Sequence, residues 1–435
     1  MVELRKPIIN LVLIGDAGHG KSTLVGRLLS DLGRVGEATL ARLRSLASRL
    51  GDEGRYLAFI VDKQLEERKR GHTIEVTSCE PLEVGGSLVK LIDVPGIMDW
   101  VGNTIAGIAQ ADAALLVVDA PAALAKDPGG LVGLREHITL AVAFGIEQAI
   151  VAVNKMDLVG YEEGAYAEAR ARLAKLMGGL GLRATAFIPI SALHGDNVVR
   201  ASENTPWYSG PTLYEALGGL EEPPRPLDRP LRLPIHRHYE RGNIAAGVLA
   251  SGKLSIGDEV VIAPSGGRGE VASMQAWGRG LDVAYAGDDV GIRIRGVARY
   301  HIKKGFVVGH VGDEAPRVAR AFVGRVKVLS PRGLWPGFCP LAFCHQAKVP
   351  CRVGAILRRV EPGSGDVLEE QPKLLREGEV GDVLLEPLVP KQKGLVIEPY
   401  DELPQLARFV LRASVGRELG TITVAMGKCL EVEPY

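Results

Sequence analysis

The sequence lacks a net charge, a membrane-spanning run and a recognisable leader. Lys+Arg and Asp+Glu both count 52, so the formal net charge is zero. A chain without net charge has no global field that attracts nucleic acid, so any RNA binding has to use local patches. No apolar run approaches the length of a membrane span, and residues 1–7 lack the apolar core and cleavage site of a signal peptide. We therefore expect a cytoplasmic protein that is not bound to a membrane.

Cysteine is also scarce, but three of the five cysteines lie near one histidine. The order Cys339, Cys344, His345 and Cys351 suggests a metal site. The spacing is not CxxC, however, and apolar residues alternate around the thiols, so we expect buried core cysteines instead. Few Asn and Gln beside many Arg, Glu and Pro favour a thermophilic source.

At 435 residues the chain is too long for one ordinary core. Residues 1 to about 220 alternate strand-like and helix-like segments, which predicts an α/β domain with a doubly wound, mostly parallel sheet. Ligands of such sheets bind at the carboxyl ends of the strands. The apolar runs predicted to be buried strands are 88–92, 113–118, 149–153 and 186–190, and the helical patterns lie near 37–50, 57–69, 133–144 and 162–177.

A stiff linker follows this domain, because the segment Glu221–Pro230 contains four prolines and cannot continue a helix or strand. Beyond it, short alternating segments separated by Gly-rich turns predict β-barrels. A second boundary is expected near Asp313–Pro316. The predicted domains are therefore 1–224, 228–316 and 317–435.

The segment Gly15–Ser22 reads GDAGHGKS, a complete GxxxxGKS phosphate-binding loop. It follows an apolar run and precedes a helical pattern, which is the setting that this motif needs. Backbone N–H groups and the start of the helix favour an anionic phosphate there, with Lys21 at the β/γ-phosphates and the Ser22 hydroxyl on Mg²⁺. The residues expected to contact the nucleotide are Asp16, Ala17, Gly18, His19, Gly20, Lys21, Ser22 and Thr23.

Two further segments are expected to complete the phosphate and metal site. Asp93 ends a predicted strand in the sequence DVPG and could hold the Mg²⁺ shell through water, while Gly96 would allow close approach to a γ-phosphate. Thr73, in the segment RGHTIE, could bind Mg²⁺ by its hydroxyl and the γ-phosphate by its N–H. Hydrolysis would release both contacts, as in an order–disorder switch.

The base is predicted from the segment Asn154–Asp157, which reads NKMD after a buried strand. The carboxylate of Asp157 can accept hydrogen bonds from N1 and the 2-amino group of guanine, and adenine offers neither. Asn154 would brace the loops and Lys155 would pack along the base. The loop Ser191, Ala192 and Leu193 would offer its backbone to the guanine oxygen. The ligand is therefore predicted to be GTP or GDP.

With these motifs placed, the chain resembles the elongation factor 1-alpha and Tu-type translational GTPases. The resemblance extends over nearly the whole chain and includes GHGKSTLVGRLL, DKQLEERKRGHTIE, DVPG, NKMD, NTPWY and QPKLLREGEVGDVLLEP. It implies a P-loop GTPase domain followed by two β-barrel domains, with GTP/GDP and Mg²⁺ as cofactors. It also implies a monomer that carries aminoacyl-tRNA or a tRNA-mimicking protein to the ribosome, with a nucleotide-exchange factor as a further partner.

The chain departs from the family where hydrolysis is concerned. The family's His after DxPG is Ile97 here, and Ile has no side-chain atom that can orient water. Asp16, Ala17 and Gly18 replace the family's His, Val and Asp in the phosphate loop, and His72 stands where Ile or Leu is usual. His72 could supply the missing catalytic group, or it could be a surface residue of the switch. Hydrolysis is therefore expected to be slow or to depend on a partner.

The sequence leaves three functions open. The first is a GTPase of translation, acting in elongation, termination or rescue. The second is the GTPase subunit of a sulfate-activating adenylyltransferase, which shares the three-domain plan. The third is a GTP-gated binding protein with little turnover, which Ile97 suggests.

Overall fold

The computed structural model describes residues 6–125, 131–239, 243–312, 314–414 and 421–435. The chain divides into two compact units, Met1–Pro223 and Pro224–Tyr435. The division falls inside the proline-rich segment. Asp313, at the expected boundary between the two barrels, lies outside the described residues, so that boundary stays a prediction.

The first unit is built on one sheet, which confirms the predicted doubly wound architecture. The strand order is β2-β4-β1-β5-β6-β7, with β3 added to β4. Strands β4, β1, β5, β6 and β7 run parallel, whereas β2 and β3 run antiparallel to β4. The central strands are mostly apolar and almost fully buried, as is typical of a parallel sheet with helices on its faces; Asn10 of β1 and Lys90 of β4 are buried polar exceptions. The strands are β1 (Ile8–Ile14), β2 (Thr77–Ser78), β3 (Leu82–Val84), β4 (Ser87–Asp93), β5 (Ala113–Asp119), β6 (Gln148–Asn154) and β7 (Arg183–Pro189).

The helices of this unit lie between its strands, except for the final one, which follows β7. They are α1 (Lys21–Asp31), α2 (Glu37–Arg49), α3 (Leu65–Arg70), α4 (Val101–Ile108), α5 (Ala120–Leu124), α6 (Val132–Ala143), α7 (Glu163–Leu180) and α8 (Leu213–Leu217). The single helix predicted near 57–69 is wrong. A 3₁₀ turn, Ala58–Ile60, is followed by the separate helix α3. Gln64 and Glu67 form a capping box that starts α3 afresh, so the chain between the two pieces is free to turn.

The second unit begins with a closed antiparallel barrel. Its six strands follow the order β11-β16-β8-β9-β15-β12, and pairing of β11 with β12 closes the ring. Strand β13 pairs with β12 outside this ring, and β10 and β14 form a separate pair. The strands are β8 (Leu233–Tyr239), β9 (Ile244–Val248), β10 (Lys253–Ser255), β11 (Glu259–Ala263), β12 (Gly267–Ala276), β13 (Arg279–Leu281), β14 (Val283–Tyr285), β15 (Asp289–Arg295) and β16 (Val307–His310).

A second barrel in this unit follows the order β18-β23-β24-β17-β21-β19 and is closed by pairing of β18 with β19. Strand β20 pairs with β19 outside this ring, and β22 pairs with β17. The fold is therefore an α/β domain followed by two barrels, as predicted. The elements are β17 (Val318–Val328), β18 (Leu341–Cys344), β19 (Ala347–Val360), β20 (Val367–Glu370), β21 (Val380–Pro387), β22 (Leu395–Val396), α9 (Pro404–Ala407), β23 (Arg408–Ser414) and β24 (Thr421–Pro434).

The clustered cysteines lie in and beside this second barrel. Cys344 and Cys351 are fully buried, as expected from the apolar alternation around them. The same expectation is wrong for Cys339, which is exposed because it lies in the loop before β18. Within the described segments, no helix is both long and apolar enough to cross a membrane.

Candidate functional site

The phosphate-binding loop occupies the turn between β1 and α1, and its shape depends on glycine. Gly15 has a φ of 147° and Gly20 a φ of 94°, which residues with a Cβ rarely adopt. A Cβ on Gly15 would lie 2.2 Å from the Val117 carbonyl oxygen, and one on Gly20 would lie 2.3 Å from Nδ2 of Asn154. The loop is therefore held tightly between β5 and β6.

Lys21 starts α1 and folds its side chain back over this loop. Its Nζ donates to the carbonyl oxygens of Gly15, at 2.8 Å, and Asp16, at 3.1 Å. Burial lowers the pKa of Lys21, and the carboxylates of Asp93 and Asp16 oppose that shift. A Cβ on Gly96 would lie 2.5 Å from the same Nζ, so the DVPG loop meets the phosphate-binding loop at this ammonium group.

The structure brings together the three residues predicted to hold a metal ion, although they come from separate segments. Ser22 Oγ lies 2.9 Å from Thr73 Oγ1 and donates to Asp93 Oδ2 at 2.7 Å. The Thr73 hydroxyl donates to Asp62 Oδ1 at 3.0 Å. Each hydroxyl has a single proton, and both protons point at carboxylates, so the two hydroxyl oxygens face each other with lone pairs.

This oxygen cluster fits a hard divalent cation. Such ions prefer carboxylate and hydroxyl oxygens and would accept the lone pairs that converge between the two hydroxyls. Asp93 Oδ1 is also buried without a hydrogen-bond partner. Burial is the main cause that raises the pKa of Asp93 to about 7 and that of Asp62 to about 6. A bound cation would offset the repulsion and desolvation of these two carboxylates.

Asp62 is a member of this cluster that the sequence analysis missed. It is 1% exposed and follows the 3₁₀ turn Ala58–Ile60, within the stretch that was predicted to be one continuous helix. In such a helix an Asp is expected to be an ordinary residue of the solvated face. The capping box at Gln64 is the signal that would have marked the break.

Asn154, the last residue of β6, connects two loops of the predicted base pocket. Its Nδ2 donates to the His19 carbonyl oxygen at 2.8 Å, and its Oδ1 accepts from the Ala192 amide at 2.9 Å. Asn154 thus braces the phosphate-binding loop against the loop that follows β7. The Ala192 amide, which was a candidate donor to the guanine oxygen, is engaged by this bond.

The other residues of the NKMD segment lie beside this brace. Lys155 has a φ of 60°, and its Nζ pairs with Asp119 Oδ2 at 2.6 Å at the end of β5. Asp157 is half-buried in the 3₁₀ turn Met156–Val159. In the neighbouring loop Ser191 is buried, whereas Leu193 is 39% exposed and accepts a hydrogen bond from Arg27 through its carbonyl oxygen.

Tyr161 connects the same two loops and was not predicted. Its hydroxyl donates to Asp196 Oδ2 at 2.7 Å, and its carbonyl oxygen accepts from Trp207 Nε1 at 2.9 Å. Its backbone is left-handed, with a φ of 56°. The sequence does contain the partner of the second bond, since Trp207 is the tryptophan of the NTPWY motif.

The remaining predicted residues of the phosphate loop differ in environment. Ala17 and Gly18 are exposed, and Thr23 is half-buried in the first turn of α1. His19 is buried, which lowers its pKa to about 4. Burial also raises the pKa of Asp16 to about 6, against the opposing charge of Lys21.

The two residues linked to hydrolysis do not form a catalytic pair in the structure. The ring of His72 is half-buried, and its Nδ1 lies 3.1 Å from the Arg70 carbonyl oxygen, a contact within its own turn. Ile97 is half-buried directly before the 3₁₀ turn Met98–Trp100. A catalytic role for His72 stays a prediction.

Family models match most of the chain. The model of the elongation factor Tu GTP-binding domain matches residues 6–223, that of elongation factor Tu domain 2 matches 242–309, and the GTP-eEF1A C-terminal domain-like model matches 321–430. Elongation factor 1-alpha of Pyrobaculum islandicum is 40% identical over 438 residues, covering 99% of this chain and 96% of that protein. Elongation factor 1-alpha of Nanoarchaeum equitans is 41% identical over 440 residues, covering 99% and 98%.

Solved structures of similar fold are more distant in sequence. The GTPase-like domain of S. cerevisiae Ski7, bound to GDP and inorganic phosphate, has a TM-score of 0.78 at 20% identity and covers 98% of this chain and 97% of that one. Elongation factor SelB of Methanococcus maripaludis, in complex with a GTP analogue, has a TM-score of 0.69 at 19% identity and covers 99% and 80%. At these identities the likeness concerns the fold alone.

Proposed function

Because this chain belongs to the elongation factor Tu and 1-alpha family, we propose that its GTP form carries aminoacyl-tRNA or a tRNA-shaped adaptor protein to the ribosome. The chain is a GTP-binding translation factor, with relatives 40% identical over nearly its whole length. The observation that carries the proposal is the convergence of Ser22, Thr73 and Asp93 from three separate segments. A site assembled in this way responds to the γ-phosphate, which a cargo-releasing switch requires.

Each residue of the site has a specific task in this proposal. The Ser22 and Thr73 hydroxyls would hold Mg²⁺ directly, and Asp93 would hold its shell through water. Mg²⁺, when bound, supplies positive charge to the β- and γ-phosphates. Lys21 exchanges its bonds to the loop carbonyls for phosphate oxygens, and Asp157 selects guanine. Loss of the γ-phosphate frees Thr73, so the segment around it leaves the site and the cargo dissociates.

Hydrolysis in this proposal is slow or driven by a partner. Ile97 stands at the position from which the family's histidine positions the attacking water, and its side chain has no hydrogen-bonding atom. Positioned groups of that kind contribute about 10²–10⁴-fold to a rate. This residue also supports the second candidate, a GTP-gated binding protein with little turnover. The C-terminal family match favours translation over the sulfate-activating alternative.

The test compares cargo binding by the two nucleotide forms. Purified protein is loaded with GDP or with a non-hydrolysable GTP analogue in Mg²⁺, and retention of aminoacyl-tRNA is measured by filter binding. A parallel pull-down from cell extract, compared between the two forms, detects an adaptor protein. Binding that requires the GTP analogue supports the proposal. Failure to bind guanine nucleotide, or equal capture of both cargo types by the two forms, refutes it.

A further inference from the structure

An arginine outside the predicted motifs reaches the acidic side of the oxygen cluster. Arg55 ends the 3₁₀ turn Glu53–Arg55, and its Nη2 lies 3.1 Å from Asp62 Oδ2. The other oxygen of the same carboxylate accepts the hydroxyl proton of Thr73. One buried carboxylate thus joins the guanidinium group to the threonine that is proposed to bind Mg²⁺.

The same guanidinium group packs against the turn that leads to Thr73. Gly71, directly after α3, has a φ of 80°, and a Cβ there would lie 3.0 Å from Nη1 of Arg55. Nη1 is buried, and the guanidinium lies over the ring of Phe59 with its carbon 5.8 Å from the ring centroid. Arg55 therefore lies against both ends of the segment 62–71, two residues before Thr73, the threonine proposed to bind Mg²⁺.

We propose that Arg55 is a positioning residue that holds Thr73 at the metal site in the GTP form. By fixing the Asp62 carboxylate, it fixes the direction in which the Thr73 hydroxyl donates its proton and presents its lone pairs. The inference rests on the proposed function, in which Thr73 engages the site only while the γ-phosphate is bound. Arg55 then contributes to the affinity for GTP and not to that for GDP.

The experiment measures the affinities of a non-hydrolysable GTP analogue and of GDP by displacement of a fluorescent guanine nucleotide in saturating Mg²⁺. Arg55→Ala should weaken analogue binding about tenfold, within the usual range of coupling between sites, and leave GDP binding unchanged. Arg55→Lys should restore part of the loss, because an ammonium group can pair with Asp62 but cannot also fill the space beside Gly71. Arg44→Ala is the matched control, since Arg44 is an exposed arginine of α2 paired with Glu37 at 2.8 Å.

A second variant protects the test against misfolding. Arg55→Gln keeps much of the side-chain length, removes the charge that pairs with Asp62 and should give the same selective loss. The inference is overturned if these variants lose affinity equally for both nucleotides, so that the ratio of the two affinities stays at its wild-type value. The proposed function then still stands, provided that the wild-type protein binds its cargo only in the GTP form. If the wild-type protein binds neither nucleotide, the proposed function itself fails, and the inference fails with it.

Discussion

Asn154 allows the clearest test of how the nucleotide site is pre-organised. The residue is 2% exposed, and its side chain makes one bond to each of two loops, at 2.8 Å to the His19 carbonyl oxygen and at 2.9 Å from the Ala192 amide. Asn154→Ala removes both bonds and leaves two buried backbone groups without their partner. Each such group costs about 1–3 kcal/mol when it is left unsatisfied.

The free variant recovers about 2–4 kcal/mol of this loss when its loops relax and water enters, and this energy is lost again when GDP binding restores the loop positions. GDP then has to reorder loops that the wild-type protein already holds in place. Its affinity should therefore fall roughly 30- to 700-fold, at about 1.4 kcal/mol for each factor of ten. The assay is displacement of a fluorescent guanine nucleotide from the purified protein in saturating Mg²⁺.

Two further variants sharpen the result. Asn154→Asp keeps the acceptor for the Ala192 amide but turns an oxygen toward the His19 carbonyl, so it should bind GDP no better than the alanine variant. Asn243→Gly removes a similar bond to the Val297 carbonyl oxygen, 2.8 Å long and in the first barrel, and should leave GDP affinity unchanged. GDP binding by Asn154→Ala within about threefold of wild type would refute the reasoning.

Three other predictions concern catalysis, specificity and acid stability. Ile97→His should raise single-turnover GTP hydrolysis by about 10²-fold or more, and an unchanged rate would show that the missing side chain is not what limits it. Asp157→Asn should shift nucleotide preference from guanine toward xanthine, because an amide can donate to the 2-oxo group; retained preference for GDP in competition would contradict the base assignment. Burial lowers the pKa of His345 from 6.5 to about 4. Between these two pH values His345 is therefore protonated in the unfolded chain and neutral in the folded barrel. About 3 kcal/mol of stability is then lost as the pH falls from 6.5 to 4, and His345→Asn should reduce the fall in Tm on acidification; equal falls would exclude this residue.

The parallel strands, and the motifs that follow them, were predictable because buried apolar runs identify such strands directly. The run predicted at 149–153 is β6, and it carries Asn154 to the same sheet edge as the phosphate-binding loop. Asp62 and Arg55 were not predictable in the same way. Their function depends on a break between Ala58–Ile60 and α3, which helical periodicity alone passes over and only the capping pair Gln64 and Glu67 marks. Long-range bonds such as that of Tyr161 to Asp196 have no sequence pattern of their own.

The unusual residues Ile97 and Asp16 affect the lifetime of the GTP form in different ways. Ile97 offers no side-chain atom to position water, so we expect the chemical step to lack a contribution of about 10²–10⁴-fold. Burial raises the pKa of Asp16 only to about 6, so its carboxyl group is mostly ionised at neutral pH and offsets part of the charge that Lys21 presents to phosphate. If both effects operate, we expect intact GTP to dissociate more readily than it is hydrolysed. The bound state is then expected to end by nucleotide exchange, unless a partner supplies the group that Ile97 lacks, and the ratio of GTP dissociation to hydrolysis in the purified protein distinguishes the two routes.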